Sequence, residues 1–262
     1  MKALHKQRQL KGAIRNGDAT LGFFVRIPAV QVIESLAQVG ADFVVLDAEH
    51  APFGVNDLDH CILAARSVDL PVLVRLGNPS VTNILQVLDM GAAGIVVPHI
   101  GSAESAAAAV RATRYSGGSR GFSGQHRAAG YGEISATEYR KASDASVIVI
   151  AQIEDMNGHE NIADICAVEE LDAVFVGRAD LTVSMGCDGI GDPPVAAATD
   201  EILATAGQAK KTSGIFLPTA TEVQAFRDRG VSLFVIGTDQ SLLVAAAKSV
   251  VSAFDSTHGQ ER

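Results

Sequence analysis

The sequence predicts a single closed (β/α)8 barrel, a TIM barrel, and three observations support this prediction. Eight short runs rich in Val, Ile and Phe recur along the 262 residues, which gives about 33 residues per unit, close to the ~30 of a strand–helix–strand repeat. The runs do not alternate apolar with polar residues, so both faces of each strand are expected to be buried, as in a parallel sheet covered by helices. Amphipathic helical segments lie between the runs. The eight runs are residues 21–25, 42–46, 71–74, 94–97, 147–153, 173–176, 214–217 and 233–236.

Proline and glycine residues mark where two of the intervening helices begin and end. Pro28 and Pro79 each open a helical segment, and Gly40 and Gly91 close them, which is the usual placement of these residues at helix termini. Two further helices are expected to start at capping boxes, formed by Ser135 with Glu138 and by Thr219 with Glu222.

The competing α/β architecture is an open, doubly wound sheet that binds a dinucleotide. That fold places a GxGxxG motif directly after its first strand. Here the first apolar run is followed by Arg26, Ile27 and Pro28, and neither GxGxxG nor GxxxxGK[ST] occurs in the sequence. Nucleotide binding is therefore disfavoured.

Composition limits the class of protein and its partners. With 47% hydrophobic residues the chain can bury a large core, so we expect one domain over residues 1–262, including an N-terminal helical segment at 1–20 and a C-terminal helix at 241–255. The formal net charge of −9 disfavours nucleic-acid and anionic-membrane partners, because either surface would favour a basic patch. The C-terminal segment is either a buried last barrel helix or a helix that packs on another subunit.

Cysteine usage and the lack of long apolar stretches predict a cytoplasmic protein. The three cysteines are widely separated and have no CxxC spacing, which suits a reducing compartment and indicates neither a disulfide nor a zinc site. The first 18 residues lack the uninterrupted apolar stretch of a secretory signal. No stretch approaches the ~18 apolar residues of a membrane span.

Polar side chains gather just after the apolar runs, where a (β/α)8 barrel places its active site. The set combines carboxylates for a hard cation, arginines for an anionic ligand, and a histidine beside an acid. None of the seven lysines follows a run, so a Schiff-base mechanism has no evident nucleophile, and carbanion chemistry would need a metal as its electron sink. The residues that follow the runs, all of them polar except Pro218, are Arg26, Asp47, Glu49, His50, Arg75, His99, Gln152, Glu154, Asp155, Arg178, Asp180, Pro218, Thr238 and Asp239.

Six motifs, in order along the chain, resemble those of the HpcH/HpaI family of class II, metal-dependent pyruvate aldolases. They are LDAEHAPF at 46–53, LVRLGNP at 73–79, LDMGAAGIVVP at 88–98, YSGGSRGF at 115–122, QIED at 152–155 and GRADLTVSMG at 177–186. The resemblance runs from about residue 21 to residue 239. It implies a TIM barrel that reversibly cleaves 4-hydroxy-2-oxo acids to pyruvate and an aldehyde through a metal-bound pyruvate enolate.

The resemblance also implies roles for particular residues. Glu154 and Asp180 correspond to the ligands of a divalent cation such as Mg²⁺, Mn²⁺ or Co²⁺. His50, oriented by Asp47, corresponds to an acid/base dyad, and Glu49 to the residue that holds a metal-bound water. The substrate contacts implied are Arg75 at the keto oxygen, Gln152 beside the bound pyruvate, backbone N–H groups around Gly177 and Ala179 at its carboxylate, and Asp89 near a neighbouring subunit's site. Family members form trimers and hexamers with an exchanged C-terminal helix, so a homo-oligomer is expected.

Two departures from the family pattern put the aldehyde specificity in doubt. Arg178 stands where the family usually has proline, and it either contacts a second anionic group of the substrate or points outwards. The family's YPP is replaced by Tyr115-Ser116-Gly117, at the start of a glycine-rich stretch at 117–132 that is either a mobile surface loop or a substrate lid.

Simpler structural roles and two other functions remain open from the sequence. Arg75 could be an ion-pair partner of Asp47 or Glu49, and Asp89, at a helix C-terminus that disfavours a carboxylate, is expected to have a partner. Arg178 motivates a citrate-synthase-like condensation, because a second cation could hold an extra carboxylate. A non-catalytic protein that binds small oxo acids is the third hypothesis.

Overall fold

Eight parallel strands form a closed barrel in the computed structural model, which describes residues 2–258. Each strand pairs with its neighbours in sequence, and β8 closes on β1. Each predicted run lies on one strand, so the (β/α)8 prediction is confirmed. Met1 and residues 259–262, which the single-domain prediction also includes, lie outside the described residues. The strands are β1 (Thr20–Val25), β2 (Phe43–Asp47), β3 (Val72–Arg75), β4 (Gly94–Val97), β5 (Ile148–Ile153), β6 (Ala173–Val176), β7 (Thr212–Leu217) and β8 (Leu233–Thr238).

Helices surround the barrel and close one of its ends. They are α1 (Lys2–Asn16), α2 (Val30–Ala37), α3 (Val55–Ser67), α4 (Val81–Met90), α5 (Ala103–Thr113), α6 (Ala136–Ser146), α7 (Met156–Glu160), α8 (Ile162–Cys166), α9 (Arg178–Ser184), α10 (Pro193–Gln208), α11 (Val223–Arg227) and α12 (Asp239–His258). The predicted cap of α6 is present, because the Ser135 hydroxyl accepts a hydrogen bond from the Glu138 N–H. Thr219 instead caps a short 3-10 turn by accepting from Thr221, before α11 begins.

Strand side chains are buried on both faces, as the absence of alternation predicted. In β2, Phe43 and Val45 belong to the cluster inside the barrel, whereas Val44 and Leu46 belong to the larger cluster between the sheet and the helices. The two clusters fix the strands from both sides, so the residues at their carboxyl ends are held at one rim.

Helix α1 covers the opposite, N-terminal end of the barrel. Leu10 and Ile14 join the apolar cluster inside it. Lys11 donates a hydrogen bond of 2.6 Å to the Val147 carbonyl at the start of β5 and pairs with Asp172 before β6, as does Arg15. The N-terminal helical segment therefore covers the end of the barrel that lies opposite to the predicted site.

The glycine-rich stretch at 117–132 is tied to the body of the protein at several points. Arg127 forms two hydrogen bonds to the carboxylate of Asp59 on α3, at 2.6 and 2.9 Å, and one to the Met90 carbonyl. Arg120 donates to Asp89 at 2.7 Å. In this structure the stretch packs on α3 and α4.

Helix α12 leaves the barrel surface with apolar side chains exposed. Leu243 is 63% exposed and Val250 69% exposed, so the segment is not a buried last barrel helix within one subunit. Among residues 2–258 no helix combines the length and apolarity needed to cross a membrane.

Candidate active site

The candidate site lies at the carboxyl ends of β2 to β6. Asp47 and Arg75 are the last residues of β2 and β3 and sit opposite each other in the parallel register. Glu154 follows β5 directly, and Gly177 follows β6. Because the strands are parallel, these positions meet at one rim, where barrels of this type place their chemistry.

Asp47 is the central acceptor of the site. Its carboxylate, which is fully buried, receives hydrogen bonds from Arg75 Nε at 3.0 Å and Nη2 at 2.7 Å, and from Arg26 Nε at 2.8 Å. Burial alone would raise the pKa of Asp47, but the bonds and charges of Arg75 and Arg26 outweigh it and hold that pKa below its ordinary value. The ion-pair role considered for Arg75 is therefore present.

Asp47 contacts His50 through the backbone. Its Oδ1 accepts the His50 main-chain N–H at 3.1 Å, which fixes the turn that follows β2. The His50 imidazole is about half-exposed, and its Nε2 lies 3.7 Å from Glu49 Oε2. Asp47 therefore binds the main chain of His50, whereas the imidazole lies beside Glu49, and the expected acid/base dyad of Asp47 and His50 stays a prediction.

Glu154 is a buried carboxylate whose charge is incompletely compensated. It is 1% exposed, and it accepts hydrogen bonds from the His99 backbone N–H at 2.9 Å and from the Gln152 amide. Burial and the nearby charge of Asp180, in the first turn of α9, raise the pKa of Glu154 to about 7 despite these bonds. A cation beside Glu154 would offset this desolvation.

Gly177 allows Glu154 and Gln152 to approach the start of α9. A Cβ at Gly177 would lie 2.5 Å from Glu154 Oε2 and 3.2 Å from Gln152 Nε2. The Gly177 N–H already donates to the Ile153 carbonyl at 3.0 Å, in continuation of the β5–β6 ladder. The Gly177 N–H is thus engaged within the sheet, and the expectation that N–H groups around Gly177 and Ala179 bind a substrate carboxylate stays a prediction.

Three side chains could together hold a cation. One donor atom from each of Glu49, His99 and Glu154 lies within 4.8 Å of the others. The carboxylates of the site, which include Asp47, Glu49, Glu154 and Asp180, outnumber the arginines Arg26 and Arg75, so an anionic oxo acid would be repelled unless a cation were present. The donor set and this charge balance both fit a divalent metal ion. Of the two ligands expected from the sequence, Glu154 belongs to this set and Asp180 does not.

Comparison with known proteins decides the family. The family model described as HpcH/HpaI aldolase/citrate lyase matches residues 20–246. The chain belongs to this family. It is therefore a carbon–carbon lyase, and the non-catalytic hypothesis is set aside.

Individual relatives of this HpcH/HpaI protein match over nearly its whole length. A 5-keto-4-deoxy-D-glucarate aldolase of Klebsiella pneumoniae is 32% identical, over 94% of this chain and 96% of the relative. A hydroxypyruvate/pyruvate aldolase of Paraburkholderia phytofirmans is 31% identical, over 92% and 95%. The crystal structure of a family protein from Burkholderia cenocepacia superposes with a TM-score of 0.90 at 30% identity, covering 94% of this chain and 99% of that one. The citrate synthase SbnG superposes with a TM-score of 0.85 at 29% identity, covering 96% and 99%.

The residue that departs from the family pattern, Arg178, faces away from the carboxylate cluster. Its guanidinium lies 4.9 Å from the centre of the Phe226 ring on α11. Its Nη2 is 3.4 Å from the Phe216 carbonyl and 3.5 Å from Glu222 Oε2. Phe226 and Glu222 together provide an apolar face and a counter-charge for this side chain, which is 10% exposed; its contact with a second anionic group of the substrate stays a prediction.

Asp89 has the partner that its position at a helix end predicted. Its Oδ1 accepts from Arg120 Nη2 at 2.7 Å and lies 3.5 Å from His126 Nε2. These residues come from the stretch at 117–132, so within one subunit Asp89 anchors that stretch. Its expected approach to a neighbouring subunit's site stays a prediction.

Two aromatic residues of the site are absent from the predicted set. The Arg75 guanidinium lies 4.5 Å from the centre of the Phe24 ring, and the Phe24 and Phe216 rings are 5.7 Å apart. The two rings form an apolar surface, and the Arg75 guanidinium packs on the Phe24 ring of that surface. A search for polar residues after strands passes over both, because their only sequence signal is that they lie near the ends of β1 and β7.

Proposed function

We propose that this protein is a divalent-metal-dependent aldolase that reversibly cleaves 4-hydroxy-2-oxo acids to pyruvate and an aldehyde. The observation that carries the proposal is the cluster of Asp47, Arg75, Glu49 and Glu154 at the carboxyl rim of the barrel. The names of the aligned relatives, which are aldolases of keto-deoxy sugar acids and of pyruvate or hydroxypyruvate, support the same reaction class.

Glu154 and Asp180 would hold the cation, with Glu49 close to it. Glu154 supplies a buried oxygen donor, and the charge of Asp180 is near enough to raise the pKa of Glu154. Carboxylate oxygens are the ligands that Mg²⁺ and Mn²⁺ prefer. When bound, the cation acts as a Lewis acid and stabilises the negative charge that develops on the oxo acid.

Arg75 binds the substrate on the side where charge develops. It is 5% exposed and fixed by Asp47 on one edge and Phe24 below. A guanidinium held in place before the reaction stabilises an enolate oxygen more than a neutral keto oxygen, which lowers the barrier. Gln152 lies beside Glu154 and faces the same space, and the Ala179 N–H would receive the substrate carboxylate.

His50 moves the proton in this proposal. In the cleavage direction its imidazole accepts the proton of the C4 hydroxyl, the C3–C4 bond breaks, and its electron pair passes into the enolate while the aldehyde leaves. A proton then returns to C3 to give the pyruvate methyl group. Histidine suits both steps because it exchanges protons near neutral pH, and the exposed position of His50 gives it access to a substrate entering from the rim.

Exchange of the pyruvate methyl protons with deuterated solvent tests this proposal without knowledge of the aldehyde. We expect mass spectrometry to show exchange that depends on added Mg²⁺, Mn²⁺ or Co²⁺, and aldol products from a panel of aldehydes. Glu154→Gln should abolish the exchange, whereas His60→Gln, at an exposed position on α3, should retain it. An absence of exchange with every metal would contradict the proposal.

A citrate-synthase-like condensation is the second candidate, favoured by the likeness to SbnG. The sequence favours this reaction because the positive charge of Arg178 could bind an extra carboxylate of the substrate. In the structure, however, the Arg178 guanidinium contacts Glu222 and Phe226. Cleavage of 4-hydroxy-2-oxo acids to pyruvate and an aldehyde is therefore the better supported reaction. Turnover of oxaloacetate with acetyl-CoA, in the absence of any reaction with pyruvate and aldehydes, would reverse this order.

A further inference from the structure

His99 occupies a position between the two carboxylates that border the candidate metal site. Its Nε2 lies 3.5 Å from Glu49 Oε1, its Nδ1 lies 3.6 Å from Glu154 Oε1, and its backbone N–H donates to the same Glu154 oxygen. The side chain is 55% exposed, so it can rotate. His99 therefore presents an imidazole nitrogen to the space that Glu49 and Glu154 enclose.

The contact with Asp155 determines which ring nitrogen of His99 is available to bind a metal ion. Asp155 Oδ2 lies 3.0 Å from His99 Nδ1, and because a carboxylate can only accept, this contact favours the neutral tautomer with the proton on Nδ1 and the lone pair on Nε2. A carboxylate behind the far nitrogen is the usual arrangement of a histidine that ligates a metal, because it fixes the tautomer and makes the ligating nitrogen more basic. The same contact aims Nε2 at Glu49.

Two buried oxygens beside the site lack hydrogen-bond partners among the described residues. One is Glu49 Oε2, on a side chain that is 10% exposed; its charged neighbours are Arg75 Nε at 3.3 Å and His50 Nε2 at 3.7 Å. The other is Gln152 Oε1, whose amide nitrogen already donates to Glu154. Unsatisfied buried oxygens are rare and require an explanation such as an ion or water, and both belong to side chains that contact His99 or Glu154.

We propose that His99 Nε2 is a direct ligand of the metal ion, so that the site takes a transition-metal cation such as Co²⁺, Mn²⁺ or Zn²⁺ in preference to Mg²⁺. This inference rests on the proposed function, which supplies the metal. Two ligand atoms at about 2.1 Å from one ion lie at most about 4.2 Å apart, so a small rotation of the imidazole brings the 4.8 Å set into coordination. Imidazole favours transition metals, whereas Mg²⁺ favours oxygen ligands alone.

Metal binding to the purified protein tests the assignment directly. Pulsed EPR of the Mn²⁺-loaded protein should show ¹⁴N coupling from one directly bound imidazole. His99→Gln should lose this coupling and bind Co²⁺ about 10- to 100-fold more weakly by calorimetry, with Mg²⁺ affinity changed less than about 3-fold. The matched control is His60→Gln, which should keep the coupling and both affinities.

The outcomes separate this inference from the proposed function. A His99→Gln variant that keeps the ¹⁴N coupling or the Co²⁺ affinity would overturn the His99 assignment, and metal-dependent pyruvate exchange in that variant would leave the aldolase proposal standing. A wild-type protein that binds none of these metals would overturn both. Thermal unfolding of His99→Gln in the absence of metal should match that of the wild type, which separates ligand loss from misfolding.

Discussion

Arg75 and Asp47 form a buried ion pair with two parallel hydrogen bonds, at the adjacent ends of β2 and β3. The same carboxylate binds Arg26 and the His50 main chain. One acidic side chain thus positions the residue proposed to stabilise the enolate and the turn that carries the proposed base. Bidentate pairing also fixes the plane of the guanidinium, which is what an arginine needs to meet a substrate oxygen at a defined angle.

Asp47→Asn should be deleterious to both stability and activity. The substitution removes the counter-charge that is hydrogen-bonded to the buried Arg75 guanidinium and leaves only Glu49 beside it; breaking a buried ion pair in this way typically costs about 3 kcal/mol of unfolding free energy. Displacement of Arg75 should lower the rate of pyruvate methyl exchange about 100-fold. Urea unfolding at fixed protein concentration and the exchange assay measure the two effects.

Asp42→Asn is the matched control for Asp47→Asn. Asp42 is exposed, lies just before β2, and accepts a hydrogen bond from the Leu21 N–H at 2.8 Å. We expect a loss of less than about 1 kcal/mol and unchanged exchange. An Asp47→Asn variant as stable as this control would show that the buried pair is not the anchor described above.

Gly177→Ala should weaken the site by crowding Glu154. The new Cβ would lie 2.5 Å from Glu154 Oε2 and 2.7 Å from its Cβ, so Glu154 must move away from its partner Gln152. We expect metal affinity to fall by about tenfold or more. Gly207→Ala, inside α10 with nothing within 4 Å of the added carbon, should instead stabilise the protein by about 0.5–1 kcal/mol. Equal metal affinities in the two variants would contradict this.

The strand ends explain why much of this site could be predicted from sequence. Apolar runs buried on both faces located all eight strands, and the residue after a strand of a parallel barrel must face the rim. Asp47, Glu49, Arg75 and Glu154 follow from that rule together with their chemistry. The rule does not predict side-chain orientation, because it does not specify which way a long side chain at the rim points.

His99 and Arg178 are two residues whose side-chain orientation the rule does not predict. The sequence places His99 just after β4 but does not specify its orientation, which depends on an unusual backbone conformation, with φ of 55°, and on the contact with Asp155. For Arg178 the sequence leaves two orientations open, and the residues that its guanidinium contacts, Phe226 and Glu222, lie more than 40 residues away along the chain. Both orientations depend on tertiary neighbours that no local pattern specifies.

Phe24 should act as a positioning residue for Arg75. The guanidinium lies 4.5 Å from the centre of the Phe24 ring, and such a contact stabilises by about 0.5–1 kcal/mol. Phe24→Leu should therefore slow pyruvate methyl exchange about 3-fold, and Phe24→Tyr, which keeps the aromatic face, should restore it. A purely space-filling role predicts no rescue, so equal rates in the Leu and Tyr variants would contradict the assignment.

The Asp59–Arg127 pair gives a stability contribution with a defined pH range. The hydrogen bonds from Arg127 hold the pKa of Asp59 below its ordinary value. The contribution is therefore fully present above the unfolded value of about 3.9 and is lost as the pH falls through the folded pKa. Because the pair is partly exposed, Asp59→Asn should lower the unfolding free energy by no more than about 1 kcal/mol.

Urea unfolding of wild type and Asp59→Asn between pH 3 and pH 8 checks this dependence. The difference between them should be constant from about pH 5 to pH 8 and should shrink below about pH 4. Added salt at pH 7 should reduce it, because exposed charges are screened. A difference that persists unchanged at pH 3 would show that Asp59 acts through packing.

Helix α12 should mediate assembly of this protein into a trimer or hexamer. Leu243 and Val250 are mostly exposed and lie seven residues apart, so they share one face of the helix. Exposed apolar side chains on one face indicate a surface that another chain covers. A Leu243→Glu/Val250→Glu variant should therefore sediment as a smaller species than wild type, with an unchanged circular dichroism spectrum.

Lys248→Glu is the control for this charge substitution. Lys248 is exposed on the same helix but lies about 140° around the helix axis from Leu243. Lys248→Glu therefore adds a negative charge to the helix without placing that charge in the expected contact. Sedimentation of Lys248→Glu should match that of wild type. If the wild-type protein is monomeric at micromolar concentration, or if Lys248→Glu dissociates as readily as the double variant, the apolar face of α12 is not the assembly surface, and its exposure must have another cause.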